Sequence, residues 1–183
     1  ASDVLDFLRK RGGVEVANLA VNGAVSADVR ELVSNANVRA VAATADWILL
    51  SAGGNDLSHA VPRSGGPPPA ALEDIRRARS DYAANLRAIL GGLREANPRA
   101  PIFVLALYDP FDDGSAAARA GAAVITGWNS VLQETALSFP AIVVVPTFDL
   151  FQGRPDRLAV DRFHPNRDGY SAIAQRIEQV IPW

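Results

Sequence analysis

A carboxylate and an imidazole lie three residues apart near the carboxyl end of the chain, in the run Asp161-Arg-Phe-His164-Pro-Asn. This spacing, just ahead of a predicted helix, can place the Asp161 carboxylate against Nδ1 of His164 and leave Nε2 free as a base. A base oriented by a carboxylate is two thirds of a catalytic triad. The chain of 183 residues has no cysteine, and no serine lies in a convincing nucleophile context.

Two further motifs follow predicted strands. Asn55 comes directly after Gly53-Gly54, where its side-chain amide is a candidate oxyanion donor. Gly23 follows another strand, and a glycine there lets substrate approach closely enough for a backbone N–H to be a second donor. With Asp161 and His164, these are the parts of an acyl-transfer site. The alternatives are a plain turn glycine, a left-handed turn asparagine and a surface helix cap with an incidental histidine.

The elements that must position these groups alternate along the chain. Apolar strands without polar alternation indicate burial on both faces, which is typical of a parallel sheet between helical layers. We therefore expect one α/β domain over 1–183, with the motifs at the carboxyl ends of strands, where such sheets bind ligands. The pattern predicts strands at 14–20, 47–50, 102–108 and 141–145, and helices at 2–11, 26–35, 38–45, 71–95, 116–137 and 168–181.

Composition narrows the class of partner. The net charge is -2 and the basic residues are scattered along the sequence, so no cluster of positive charge is expected to bind nucleic acid or an anionic membrane. The longest apolar runs, 102–107 and 141–145, are far shorter than the roughly 20 residues of a membrane span. No signal peptide opens the chain, although a secreted form whose leader was removed would look the same, so the compartment stays open. We expect a small, neutral or mildly charged ligand.

The motifs together resemble the SGNH, or GDSL-type, hydrolases. Their order and spacing are family-like, and the matching blocks are Asn22-Gly23-Ala-Val-Ser-Ala-Asp, Gly53-Gly54-Asn55-Asp56 and Asp161-Arg-Phe-His164-Pro-Asn. The resemblance implies a flavodoxin-like three-layer α/β/α sandwich and hydrolysis of small ester or lipid-like substrates without metal or cofactor. It also implies that Gly23 and Asn55 are oxyanion donors and that Asp161 and His164 form the catalytic dyad.

Neighbouring residues are predicted to contact the substrate. Gly54 precedes the amide donor, and Phe163 and Pro165 flank the base, so these three are candidate substrate-binding residues. The loops at 59–69 and 109–115 are candidate rims or lids of the site, although a solvated loop is the commoner outcome.

The chain departs from the family at its first block. The nucleophilic serine of the family lies in a Gly-Asp-Ser motif at the end of a central first strand, and neither is present in this sequence. We therefore expect a chain that is incomplete at its N-terminus. The central strand and its serine would then come from a missing N-terminal segment or from a second chain.

Other interpretations remain open at this point. Ser26 and Ser51 are better explained as a helix cap and a strand-end residue than as nucleophiles. Asp56 and His59 repeat the Asp-x-x-His spacing, so a metal site joining both pairs is an alternative, although Asp56 also fits a cap or turn residue and His59 a loop residue. A non-catalytic protein that binds an acyl or carbohydrate ligand on the same scaffold is the main competing function.

Overall fold

A computed structural model describes residues 4–10, 14–60, 69–111 and 115–181. Within this part of the chain, helices and strands alternate as the periodicity predicts. The helices are α1 (Val4–Lys10), α2 (Ser26–Ser34), α3 (Ala36–Thr44), α4 (Gly54–Ala60), α5 (Pro69–Ala96), α6 (Ala116–Ala136) and α7 (Arg167–Val180). The strands are β1 (Ile48–Leu50), β2 (Ile102–Leu105) and β3 (Ile142–Val145), and 3₁₀ turns cover Phe148–Leu150 and Pro155–Arg157.

The strands form a parallel sheet in the order β1-β2-β3. β1 pairs with β2 in parallel, with Leu49 opposite Phe103, and on the other side Ile102 donates to the carbonyl of Ala141 at 3.0 Å. Helices connect successive strands, as parallel pairing requires. The predicted α/β fold with a parallel sheet is thus confirmed, and β1 forms one edge of the described sheet.

The chain divides into two compact units. One unit, of residues 19–105 and 126–144, contains almost the whole sheet and the long helix α5. The buried side chains of α5 recur at helical spacing, and Tyr82, Leu86, Ile89 and Leu90 are each 0% exposed. The ring of Tyr82 stacks on that of Trp128 with centroids 6.0 Å apart.

The other unit consists of residues 1–18, 106–125 and 145–183. Its core includes Leu8 on α1, Phe151, and the apolar face of α7 around Ile173 and Ile177. This unit carries the loop that precedes α7, in which Asp161 and His164 lie.

The predicted buried strand at 14–20 is wrong. This segment forms no strand in the described structure, and its residues are half-buried or exposed. A strand exists only where a neighbouring strand exchanges hydrogen bonds with it, and no described strand pairs with this segment. The apolar residues of this segment predicted a buried strand. Residue type does not reveal whether a neighbouring strand is available to pair with it.

Smaller differences concern element ends. β2 stops at Leu105 although the apolar run suggested a strand to residue 108. The proline-rich stretch at 61–68, the residues 112–114 and both ends of the helix predicted over 2–11 lie outside the described part of the chain. None of the helices in the described ranges is long and apolar enough to cross a membrane.

Candidate active site

Asp161 and His164 contact each other in the loop between the 3₁₀ turn at 155–157 and α7. Nδ1 of His164 lies 2.6 Å from Oδ2 of Asp161. The two side chains are 61% and 50% exposed, and no described residue makes a hydrogen bond to Nε2 of His164. Because Nδ1 faces a carboxylate, it is the nitrogen that carries the proton in the neutral ring. The free Nε2 can therefore accept a proton.

The Asp161 carboxylate is also held by its own turn. Its Oδ1 accepts the backbone N–H groups of Phe163 and His164, each at 3.0 Å. The hydrogen bond from the His164 ring, followed by these two backbone bonds, lowers the pKa of Asp161 to about 2. The carboxylate is thus ionised wherever a histidine base would work, and it can stabilise a positive imidazole.

The turn that carries the pair has an unusual backbone. Arg162 has φ of +54°, in the left-handed region that a non-glycine residue adopts at an energetic cost. The Ala159 N–H donates to the His164 carbonyl at 2.8 Å, and the Arg162 N–H donates to the Ala159 carbonyl at 2.9 Å. Tyr108 donates its hydroxyl to the Phe163 carbonyl at 2.9 Å. These bonds maintain the strained conformation.

Asn166 joins the loop to α7. Its side-chain oxygen accepts the N–H groups of Asp168 and Gly169 at 2.9 and 3.1 Å, which caps the helix. Its amide nitrogen donates to the carbonyls of Asp156 and Leu158. Asn166 was not predicted as a functional residue, although an asparagine just before a helical pattern is a recognisable N-cap signal. Tyr108 was missed as well, and no local signal marks it.

Aromatic side chains border the His164 ring. Phe163 is half-buried and meets His164 edge to face, with centroids 5.1 Å apart. Phe111 lies 6.2 Å from Phe163 and is 43% exposed. Pro165, by contrast, is buried and pairs through its backbone with Leu158. An apolar surface therefore lies beside the imidazole.

The two predicted oxyanion donors lie together in the other unit. Asn55 is the second residue of α4, and its side-chain amide donates to the carbonyl of Ala24 at 2.9 Å. Gly23 has φ of +79°, and a Cβ built on it meets nothing within 4 Å. The alternative of a left-handed asparagine is wrong, because Asn55 is helical. One amide hydrogen of Asn55 is used by Ala24, so the second can point elsewhere.

A buried polar network connects these two motifs. Ser26 is 0% exposed, and its hydroxyl donates to Oδ1 of Asp56 at 2.5 Å and accepts from Nδ2 of Asn85 at 3.0 Å. The Ser26 N–H donates to the other Asp56 oxygen at 2.8 Å. Ser26 is therefore neither a nucleophile nor the cap of α2. The residue before the helix is Val25, whose N–H bonds to Asp28.

Gly53 allows the chain to turn tightly against α5. It has φ of +106°, and a Cβ there would lie 2.6 Å from the ring of Tyr82. The Tyr82 hydroxyl reaches the carbonyl of Ala52 at 3.4 Å, and burial raises the pKa of this phenol. Gly54 is the first residue of α4 and is half-buried. The pair of glycines thus places Asn55 at the start of the helix.

His59 lies on α4 rather than in a loop, and its side chain is exposed. Asp56 lies in the first turn of the same helix, so the expectation of a turn residue is corrected. In the described ranges no three His, Asp or Glu side chains are grouped as metal ligands would be.

The family of this chain is identified by comparison with known proteins. The model of the GDSL-like lipase/acylhydrolase family matches residues 3–172. YpmR of Bacillus subtilis strain 168 is 29% identical over 171 residues, which cover 92% of this chain and 66% of YpmR. The spore germination lipase LipC of Bacillus licheniformis is 26% identical over 167 residues, which cover 90% of this chain and 76% of LipC. The chain thus spans just under two thirds of the length of YpmR.

Solved structures agree on the fold. The lipase Lip_vut3 from a goat rumen metagenome has a TM-score of 0.76 at 23% identity, covering 98% of this chain and 87% of its own. The acetylxylan esterase Axe2 of Geobacillus stearothermophilus has a TM-score of 0.71 at 18% identity, covering 98% and 80%. The predicted family is confirmed by the match over 3–172: this chain belongs to the GDSL-like lipase/acylhydrolase family.

Proposed function

We propose that this chain provides the base, the orienting carboxylate and the oxyanion donors of a serine ester hydrolase. The observation that carries the proposal is the 2.6 Å contact between Asp161 and Nδ1 of His164, in a member of an acylhydrolase family. Within the described part of the chain, no residue makes a hydrogen bond to Nε2. This arrangement is what a general base for acyl transfer needs, because the carboxylate sets the tautomer and leaves the other nitrogen available.

The proposed reaction has two halves. A serine hydroxyl attacks the ester carbonyl while Nε2 of His164 takes its proton, and the same proton then passes to the leaving alcohol as the acyl-enzyme forms. Water attacks the acyl-enzyme in the second half, again giving a proton to Nε2, and collapse of the intermediate returns that proton to the serine. Asp161 remains ionised throughout, as its pKa of about 2 indicates, and stabilises the positive ring.

The negative charge that develops on the substrate oxygen is assigned to two donors. These are the backbone N–H of Gly23 and the second amide hydrogen of Asn55. Support comes from the bond between Asn55 and the Ala24 carbonyl, which orients the amide, and from the open space at Gly23. Loss of one such donor costs about 100-fold or more in kcat.

The nucleophile is assigned to a serine outside this chain. No hydrogen bond joins a described serine to His164, and Ser26 is buried with its hydroxyl given to Asp56. β1 forms an edge of the described sheet, so it can accept a further strand. We propose that an N-terminal segment or a second chain supplies both that strand and the serine.

We assign small esters as the substrate class. The named relatives and neighbours include lipases and an acetylxylan esterase. Phe163 and the partly exposed Phe111 place apolar surface beside His164, which suits the hydrocarbon part of an ester. Gly54 and Pro165 are kept as candidate substrate contacts, although Pro165 is buried.

Covalent labelling tests the proposal. The protein, expressed with the coding sequence that precedes Ala1 in its gene, is treated with a fluorophosphonate probe and assayed with p-nitrophenyl esters of two to eight carbons. We expect labelling and hydrolysis in the parent. Both should fall about 1,000-fold or more in His164→Ala, whereas His59→Ala, which changes an exposed histidine on α4, should retain them.

Other results would select another function. Binding of acyl or carbohydrate ligands without any labelling in any preparation would favour the non-catalytic binding protein. Hydrolysis that is lost in EDTA would favour the metal-dependent alternative. Equal effects of His164→Ala and His59→Ala would show that His164 is not the base.

A further inference from the structure

The peptide unit between Phe163 and His164 is held at both of its polar groups. Its carbonyl, on Phe163, accepts the Tyr108 hydroxyl at 2.9 Å. Its N–H, on His164, donates to Oδ1 of Asp161 at 3.0 Å. Because a peptide unit is planar, two bonds at opposite edges fix the orientation of the plane. The position of the His164 Cα, which lies in this plane, is fixed with it.

Tyr108 is itself firmly placed. Its ring packs on the buried Phe151 with centroids 4.4 Å apart. Two residues earlier, the N–H of Ala106 donates to the Val145 carbonyl at 3.0 Å. The Ala106 carbonyl accepts the Thr147 hydroxyl at 2.5 Å. The hydroxyl of Tyr108 is therefore an anchor point outside the loop that carries Phe163 and His164. It is also 55 residues away in sequence from the carbonyl that it holds.

The loop needs an external contact of this kind. Arg162, within the turn, has φ of +54°, so a relaxed turn competes with the observed one. The bonds from Asp161 to the Phe163 and His164 N–H groups belong to the same loop and would move with it. The Tyr108 bond originates outside the loop and resists that movement.

We propose that Tyr108 is a positioning residue, whose hydroxyl holds the Phe163 carbonyl and thereby keeps the His164 imidazole against Asp161. We call this hydrogen bond from Tyr108 to the Phe163 carbonyl the clamp. Its catalytic role rests on the proposed function, but the hydrogen bond itself is a feature of the loop. Burial, then the neighbouring Tyr170 and Asp161, raise the pKa of Tyr108. The phenol therefore keeps its proton and acts as a donor.

NMR on Tyr108→Phe tests the clamp without requiring activity. This substitution keeps the ring and removes the hydroxyl. The pKa of Asp161, followed through its carboxyl carbon, should rise from about 2 toward 3.8, and the Nδ1 proton of His164 should exchange faster. Tyr170→Phe removes a hydroxyl from the same neighbourhood without touching the Phe163 carbonyl, and it should leave both signals unchanged.

Kinetics give a second measurement in a preparation that hydrolyses esters. A misplaced base slows the chemical step more than it weakens substrate binding, so kcat should fall about 10-fold in Tyr108→Phe while KM stays within about two-fold. If no preparation hydrolyses esters, the proposed function fails, and the NMR result still decides whether the clamp exists.

A folded Tyr108→Phe variant with an unchanged Asp161 pKa and an unchanged Nδ1 signal would overturn the inference, as would equal shifts in Tyr170→Phe. If Tyr108→Phe does not fold, the parent protein provides the test. Its Tyr108 hydroxyl proton should give a resolved NMR signal with an NOE to the Phe163–His164 backbone, and a freely exchanging hydroxyl without that NOE would contradict the clamp.

Discussion

Removing the hydroxyl of Ser26 should destabilise the protein well beyond the usual effect of a serine to alanine change. Ser26 is 0% exposed, and its hydroxyl is shared between the Asp56 carboxylate and the Asn85 amide. Ser26→Ala leaves the backbone bond from Ser26 to Asp56 in place. The change therefore removes two side-chain bonds and little packing.

The magnitude follows from these two bonds. A hydrogen bond to a charged group contributes about 1.5–3 kcal/mol, and a buried donor left without a partner costs about 1–3 kcal/mol. The losses overlap, because both involve the same hydroxyl. We expect the free energy of unfolding to fall by about 3 kcal/mol.

Urea denaturation at neutral pH measures this change through the midpoint at constant m value. Ser34→Ala is the matched control, because Ser34 is exposed and its hydroxyl bonds to the carbonyl of Arg30, four residues earlier in the same helix. Its effect should stay within about 0.5 kcal/mol. In a cycle with Asn85→Ala, the double variant should lose less than the sum of the single losses, since the unpartnered amide is then absent.

The reasoning would be refuted by a Ser26→Ala variant that loses less than about 0.5 kcal/mol, or no more than Ser34→Ala. Strict additivity in the cycle would also contradict it, because the hydroxyl of Ser26 and the amide of Asn85 would then be energetically independent.

Ala141→Gly should stabilise the protein by about 0.5 kcal/mol, because Ala141 has φ of +53° and glycine adopts that conformation without strain; an unchanged or lower melting temperature would contradict this. The Asp161 carboxylate should add stability above pH 3.8 that disappears as the pH falls toward about 2, since folding lowers its pKa. In unfolding experiments over this pH range, Asp161→Asn should lack that part of the acid dependence, and parallel curves for parent and variant would count against the contact with His164.

Much of the fold follows from local patterns. Apolar periodicity and helix-end signals predicted α5, α6 and α7 to within about two residues of their observed bounds. The predicted ranges were 71–95, 116–137 and 168–181. The parallel sheet followed from unbroken apolar runs between helices. These features depend on neighbours within a few residues, so the chain encodes them directly.

Burial that depends on a partner could not be predicted in the same way. The segment 14–20 has the composition of a strand, yet no described strand pairs with it. Ser26 has the local context of a helix cap, yet its hydroxyl bonds to Asp56, 30 residues away, rather than to its own helix. Both outcomes depend on which distant segment lies next to the residue.

By itself, the sequence determined the contact between Asp161 and His164, because the two residues are three positions apart and a single turn joins them. It also determined the family, through three short motifs in order. Only the tertiary structure decided how that turn is held: Tyr108 reaches the Phe163 carbonyl from 55 residues away. The physical reason is that a short spacing constrains geometry through the backbone, whereas a long-range hydrogen bond exists only after packing has placed its donor.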